Sequence, residues 1–229
     1  MQILIVSIFS IALIFLTACS NTENPGLLLG EESTLDFQIT SANFTETRPR
    51  KRIPSDNTCF GENLSPPLSW INAPQDAKSF ALIAEDVDHS LKVDTMGRGA
   101  SSAGEWVLWV LYNIPVEVSE LTEGIPTTTM ILPDGTTQGT NDNKKPGYFG
   151  PCPPAIIRHY LGYDYGAAHR YYFRLYALDQ NLVLEQGLSK KDLLDAINNH
   201  ILAKTEVMGK FSPPVLLEEK GGAGFLSTS

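Results

Sequence analysis

His169-Arg170-Tyr171-Tyr172-Phe173-Arg174-Leu175-Tyr176-Ala177-Leu178-Asp179 is dense in aromatic residues and opens on a His-Arg pair. Aromatic side chains favour a pleated, half-buried backbone, so this stretch predicts a strand. Its side chains alternate between faces: His169, Tyr171, Phe173 and Leu175 share one, and Arg170, Tyr172, Arg174 and Tyr176 share the other. Such a strand belongs in the middle of a sheet. It carries His169 to one end, where the histidine either caps the strand or serves a pocket.

Two apolar runs upstream supply neighbours for it. Ser79-Phe80-Ala81-Leu82-Ile83-Ala84 reads as a buried strand that stops at an acidic exit, Glu85-Asp86-Val87-Asp88-His89. Asp86 and Asp88 are two residues apart and can point the same way. They suit a partner with several donors, a metal ion or an arginine from another strand, and a salt-bridged structural pair is the plainer role. Trp106-Val107-Leu108-Trp109-Val110-Leu111-Tyr112-Asn113-Ile114-Pro115 is apolar on both faces, which implies a central strand ended by proline. The Gly- and Ser-rich segment from Asp94 to Glu105 reads as a flexible loop. Leu35 to Thr40 alternates apolar and polar residues and opens the domain as a half-buried strand. Gly61 to Trp70, stiffened by Pro66 and Pro67, reads as a rigid connector. The turn-rich excursion from Gly124 to Gly150 is of a length more often functional than idle. Downstream, Ser189 and Asp192 form a capping-box variant, and Leu193, Leu194, Ile197, Ile201 and Leu202 recur at helical spacing. One amphipathic helix packing on the sheet is expected there, with a short strand over Val207 to Phe211.

The 229 residues, 42% hydrophobic and 19% charged, suit one globular domain. A net charge of -9 provides no basic field to attract nucleic acid. The one basic cluster, Arg48-Pro49-Arg50-Lys51-Arg52, lies among turn residues and reads as a solvated loop, or as a grip on acidic headgroups or a partner. Ile3 to Leu16 is almost wholly apolar yet short for a membrane span, as in a signal peptide. Leu16-Thr17-Ala18-Cys19 resembles the bacterial lipobox, so residues 1–18 are expected to be a lipoprotein signal peptide and Cys19 a lipidated mature N-terminus. No lysine or arginine precedes the apolar run, and an ordinary secretory signal is the alternative. Residues 19–34 then form a polar tether and residues 35–229 the domain, exported and held on a bacterial membrane. With Cys19 set aside, Cys59 and Cys152 remain as an even pair in a compartment that permits a disulfide, bridged or free as geometry decides. No Cys-x-x-Cys and no histidine pair at helical metal-ligand spacing occurs, so neither a metal site nor a cofactor is expected.

Taken in order, Asn63-Leu64-Ser65-Pro66-Pro67-Leu68-Ser69-Trp70, Asp86-Val87-Asp88, Trp106 to Pro115, Gly147 to Pro154 and His169-Arg170-Tyr171 resemble the phosphatidylethanolamine-binding protein family, and within it the bacterial Raf-kinase-inhibitor-like branch. The resemblance covers roughly Phe37 to Phe211. It implies a mainly β fold, a β-sandwich of two antiparallel sheets with a C-terminal helix and a small pocket at one end. That pocket takes phosphate-like anions and, in some members, phospholipid headgroups. Motif by motif, it assigns ligand binding to Asp86, Asp88, Trp106, Gly150, Pro153, Pro154, His169 and Tyr171, and a structural role to Arg170. It also implies that Cys59 and Cys152 approach the same end. The chain departs from the family pattern in three places. Val87 and Ser90 stand where the Asp-x-Asp loop has prolines, Leu108 stands where a second pocket histidine is expected, and residues 155–168 lengthen the connector before His169.

The leading expectation is a lipid-anchored, non-enzymatic binding protein for a small anion or phospholipid headgroup, with regulation as one use. A hydrolase using His169 as general base oriented by Asp86 is the alternative, although no Gly-x-Ser-x-Gly elbow supplies its nucleophile. A third is inhibition of a kinase or protease by protein contact.

Overall fold

The computed structural model describes residues 36–47, 50–89, 92–93, 99–100, 105–153, 156–158, 164–165, 168–219 and 222–224. In chain order the strands are β1 (Gln38–Thr40), β2 (Thr45–Thr47), β3 (Arg50–Arg52), β4 (Leu68–Ile71), β5 (Ser79–Asp86), β6 (Lys92–Val93), β7 (Gly99–Ala100), β8 (Trp106–Pro115), β9 (Glu120–Leu121), β10 (Thr137–Gln138), β11 (Ile156–Arg158), β12 (Asp164–Tyr165), β13 (His169–Leu178), β14 (Ile201–Phe211), β15 (Val215–Glu219) and β16 (Gly222–Gly224). Among the described residues the one α-helix, α1 (Lys190–Ile197), lies between β13 and β14.

A seven-stranded sheet in the order β10-β8-β5-β13-β14-β3-β2 is the frame, and β13 is its middle strand. Residues 169–178 of β13 alternate between buried and half-buried at their start and are buried throughout at their end, so the strand enters the core as it runs away from His169. Its two neighbours, β5 and β14, pair with it antiparallel over nearly its whole length. Within this sheet only β3 runs parallel to its neighbour, with Arg52 opposite Lys210 of β14.

The two faces of the sheet bury separate cores. On one, Phe80, Leu82, Ala84, Tyr171, Phe173 and Leu175 pack against Ile39, Leu68, Trp70 and Leu121 of the small sheet β1-β4-β9, which makes the sandwich. On the other, Ala81, Ile83, Val110, Tyr112 and Tyr176 receive Leu193 and Ile197 of α1. Each large apolar side chain buried in this way contributes roughly 1.5–3 kcal/mol relative to exposure. The expected architecture of two sheets with a single helix is met.

Local detail differs from the sequence reading in several places: Arg50–Arg52 of the basic cluster form strand β3 rather than a loop, Gly99–Ala100 of the expected loop form β7, and the helix and the last strand have other bounds. The helix starts where expected, with Ser189 as N-cap and a reciprocal capping box to Asp192, but it ends at Ile197. Ile201 and Leu202 therefore belong to β14, not to the helix, and both are partly exposed. The apolar spacing runs on in period across Asn198-Asn199-His200, where the chain turns, and periodicity alone cannot register a turn. The strand expected over Val207–Phe211 is correspondingly longer, beginning at Ile201.

Strand β8 carries a bulge that matters for the site. Ala84 of β5 lies opposite Trp109 and Glu85 opposite Val107, which leaves Leu108 as an extra residue. Leu108 and Trp109 consequently both face the sandwich core, while Val107 and Val110 face α1.

Candidate functional site

Three long strands end together at one edge of the molecule. Trp106 begins β8, Asp86 closes β5 and His169 begins β13, and the register sets Trp106, Asp86 and Tyr171 directly opposite one another across the sheet. Direct partners in an antiparallel ladder share a face, so all three project toward the sandwich side. The next strand has Gly209 opposite Tyr171, and Ile53 fills the space its missing side chain leaves.

Asp86 is the pivot of this cluster. Its Oδ1 accepts a hydrogen bond from the Asp88 backbone N–H at 2.9 Å, and its Oδ2 lies 2.7 Å from His169 Nδ1. With both side chains nearly buried, the carboxylate fixes the ring and holds a proton on Nδ1, leaving Nε2 as the ring's second polar atom. Tyr171 is fully buried, and its hydroxyl has no hydrogen-bond partner. Burial pushes the phenol's pKa far up, and the Asp86 charge pushes it further, although no hydrogen bond of ordinary geometry joins the two. A buried, unpartnered hydroxyl forfeits roughly 1–3 kcal/mol, which a ligand able to bond it can restore.

Asp88 does different work. Its Oδ2 accepts from the Arg170 backbone N–H at 2.8 Å and from Arg170 Nε at 2.9 Å, and its Oδ1 accepts from an Arg170 terminal nitrogen at 2.7 Å. The Arg170 hydrogen bonds hold the Asp88 carboxyl below its ordinary pKa against an opposing push from burial. The two aspartates thus do not converge on one partner: Asp86 orients the histidine and Asp88 clamps the start of β13. The strand ends at Asp86 and Asp88 lies in the turn beyond it, so strand alternation no longer aligns them. His89, next in the chain, is exposed and its ring lies 4.4 Å from the Trp106 indole, a contact with no signal in the sequence.

The Gly150 segment is fastened to the same region from below. Phe149 N–H donates to the Leu108 carbonyl at 3.0 Å, and Gly150 N–H donates to Asn63 Oδ1 at 2.8 Å. A Cβ on Gly150 would stand 2.4 Å from the Asn57 carbonyl oxygen, so only glycine fits. Cys59 N–H donates to the Pro151 carbonyl, and the Cys59 and Cys152 sulfurs are bonded, with Cα atoms 5.3 Å apart. Pro151 and Pro153 are buried, whereas Cys152 is exposed. Tyr148, also buried, donates its hydroxyl to the Asn57 carbonyl at 2.7 Å. The roles of Asn57, Asn63 and Tyr148 escape a reading of motifs; Asn63, at φ 58°, occupies the left-handed region that asparagine tolerates best after glycine. Pro154, Cys19 and the segments 1–18 and 19–34, expected to be a signal peptide and a tether, lie outside the described residues, as does most of the 155–168 segment. Among the described residues no group of three or more metal-ligating side chains is assembled.

A second charged cluster lies on the opposite face. Glu85, fully buried, pairs with Arg174 and with Lys190 of α1, and Glu105 completes the set by pairing with Lys190. It pins the helix start to the sheet.

The model of the phosphatidylethanolamine-binding protein family matches residues 43–212. A UPF0098 protein of Methanothermobacter thermautotrophicus is 45% identical over 162 residues, spanning 71% of this chain and 91% of that protein. One from Chlamydia muridarum is 40% identical over 175 residues, 76% of this chain and 98% of that protein, so the matched region makes up essentially the whole of that relative. Among solved structures, a phosphatidylethanolamine-binding protein homologue of Chlamydia trachomatis superposes with a TM-score of 0.59 at 37% identity, covering 76% of this chain and 96% of that one. Escherichia coli YbcL, described as a member of the mammalian family, gives 0.59 at 26% identity over 77% and 98%. The match over most of the domain, together with strand ends that gather Asp86, Trp106, His169 and Tyr171 at one edge, means that the chain belongs to the phosphatidylethanolamine-binding protein family.

Proposed function

We propose that this protein is a lipid-anchored binding protein whose strand-end site takes a phosphate-bearing, amphipathic ligand of the phospholipid-headgroup kind. The observation that carries this reading is the pairing of an Asp86-oriented imidazole with the unpartnered Tyr171 hydroxyl one rung away. The Tyr171 hydroxyl can donate to an anion's oxygen, and His169 Nε2, with Nδ1 already bonded to Asp86, donates when the ring is imidazolium or accepts from a protonated phosphate oxygen; the buried setting strengthens each bond. Leu108, buried beside this rung in place of a second histidine, withholds one charge-assisted bond and offers apolar surface instead. Losing such a bond costs about 1.5–3 kcal/mol, or roughly ten- to a hundredfold in affinity, part of which an acyl chain recovers against Leu108.

Calorimetry on residues 35–229 tests the reading with inorganic phosphate and with a short-chain phosphatidylethanolamine. Weak phosphate binding, tighter phospholipid binding, loss of both in His169→Ala and a gain for phosphate in Leu108→His are expected. Tight phosphate binding by the parent, or no gain from Leu108→His, overturns it. The His169–Asp86 pair also favours a second reading, a hydrolase with a carboxylate-oriented base. Among the described residues, however, His169 has no hydrogen bond to a serine, threonine or cysteine, which supports binding over catalysis. Turnover of ester or phosphodiester substrates, lost in His169→Ala, would reverse that preference.

A further inference from the structure

Beside the site, the sheet presents one rung of three cations, two of which have no acidic partner among the described residues. Arg170 of β13 lies opposite Lys210 of β14, and Lys210 lies opposite Arg52 of β3, so three basic residues stand abreast on adjacent strands. Direct partners share a face, and the neighbouring positions fix which one: Gly209 and Ile53 meet on the sandwich side, so Lys210 and Arg52 project from the other. The remaining basic residues of β13 and β14 have partners. Arg174 pairs with Glu85 and with Glu206 at 3.1 Å, Lys204 lies 3.5 Å from Glu206, and Arg170 itself is clamped to Asp88. Among the described residues Lys210 and Arg52 have no such partner, and Arg52 is exposed. Like charges set directly across a ladder repel, so this rung works against folding unless it meets an anionic surface.

The next rung along the same face is Tyr172 opposite Met208, both half-buried. Lys210 and Arg52, bordered by a tyrosine and a methionine, match a bilayer interface, where phosphates lie outermost and the amphipathic ring sits just beneath them. The geometry points to this strip as a docking surface for an anionic phospholipid bilayer. The strip projects from the face opposite Tyr171, with Arg170 following His169 directly along β13. Where Cys19 carries lipid, the anchor raises the effective concentration of the strip at the membrane. The strip does not depend on the pocket, and the two can fail separately.

Residues 35–229, which carry no lipid, are mixed with vesicles of phosphatidylcholine alone or of phosphatidylcholine with phosphatidylglycerol, and binding is read by co-sedimentation. Binding to the anionic vesicles only, weakened by raised salt, is expected. Each cation near such a surface is worth about fivefold in partitioning, so Arg52→Ala with Lys210→Ala should weaken binding about 30-fold. Circular dichroism checks that this pair of substitutions leaves the fold intact, and Lys191→Ala, which removes an exposed cation of α1 outside the strip, should bind the vesicles as the parent does. Equal binding to neutral vesicles, no binding to either, or no change in the double variant overturns the proposal. Loss in His169→Ala alone overturns it too, assigning vesicle binding to the pocket. Capture of a polyglutamate peptide without vesicle binding identifies an acidic protein surface as the partner instead.

Discussion

Replacing Cys59 and Cys152 together by alanine should destabilise the domain through its unfolded state. The bond closes a loop of 93 residues in sequence separation. Chain-entropy arithmetic for a loop of that size gives about 4.7 kcal/mol, and an unfolded chain that is already compact brings the expectation to roughly 3–5 kcal/mol. The folded side changes less, because the Cys59 N–H to Pro151 bond and the Gly150 N–H to Asn63 bond hold the two segments together without the sulfurs. Urea unfolding followed by tryptophan fluorescence reads the effect directly, since Trp70 and Trp109 are buried in the core. The midpoint should fall and the slope should rise, because the uncrosslinked chain exposes more surface on unfolding. In thermal unfolding, at about 2–4 °C per kcal/mol for a domain of this size, the shift should be roughly 10–15 °C. Reducing the parent, whose Cys152 is exposed, should reproduce the variant. A loss below about 1 kcal/mol with an unchanged slope would refute the entropic reasoning, and two free thiols labelled under denaturing, non-reducing conditions would refute the bond itself.

Asp88→Asn should cost roughly 1–2 kcal/mol at neutral pH, a value discounted because the Arg170 side chain is 43% exposed. Asp88 is depressed below its ordinary value of 3.8 by Arg170, so its contribution is complete above that value and is lost as pH falls through the lower folded one. The stability gap between parent and Asp88→Asn should therefore be level from neutral to mildly acidic pH and narrow only below about pH 4; a gap already closing at pH 6 would contradict this account. Gly150→Ala should cost at least about 2 kcal/mol and weaken ligand binding, because its Cβ would overlap the Asn57 carbonyl oxygen, which is backbone and cannot swing away; a silent substitution would show that the segment is free to move. Cys19→Ser should release or stall the protein, seen as loss of membrane association and of the lipid mobility shift on a gel, and an unchanged variant removes the anchor.

Alternation made the start of β13 legible, because where one side is the more deeply buried a strand prints its register on the sequence, as His169, Tyr171 and Phe173 do. The runs that became β5 and β8 were legible for the opposite reason, being apolar on both faces between two cores. The first half of β14 is exposed on both sides and carries no such signature, so a helical spacing through Ile201 and Leu202 won by default. At the site, residue types were legible but their pairing was not. Spacing two along a strand aligns Asp86 and Asp88 only while the strand lasts, and it ends between them. The set of Glu85 with Lys190 and Arg174 was invisible for a different reason, since it exists only once α1 has docked on β5 and β13.

A core on each side of the large sheet has a consequence for hydrogen exchange. Amides in the middle of β5 and β13 are bonded to strands on both flanks and covered above and below, so they should exchange only through global unfolding. Asp86 and His169 sit at the last rungs of those same strands. The groups proposed to hold the ligand are thus extensions of the slowest-opening part of the molecule, while the Gly150 segment that flanks them is tied down by single bonds and a disulfide. A ligand arriving there has little ordering left to impose on the strands, and its footprint in exchange should appear as slowed amides in residues 147–153 against an unchanged sheet.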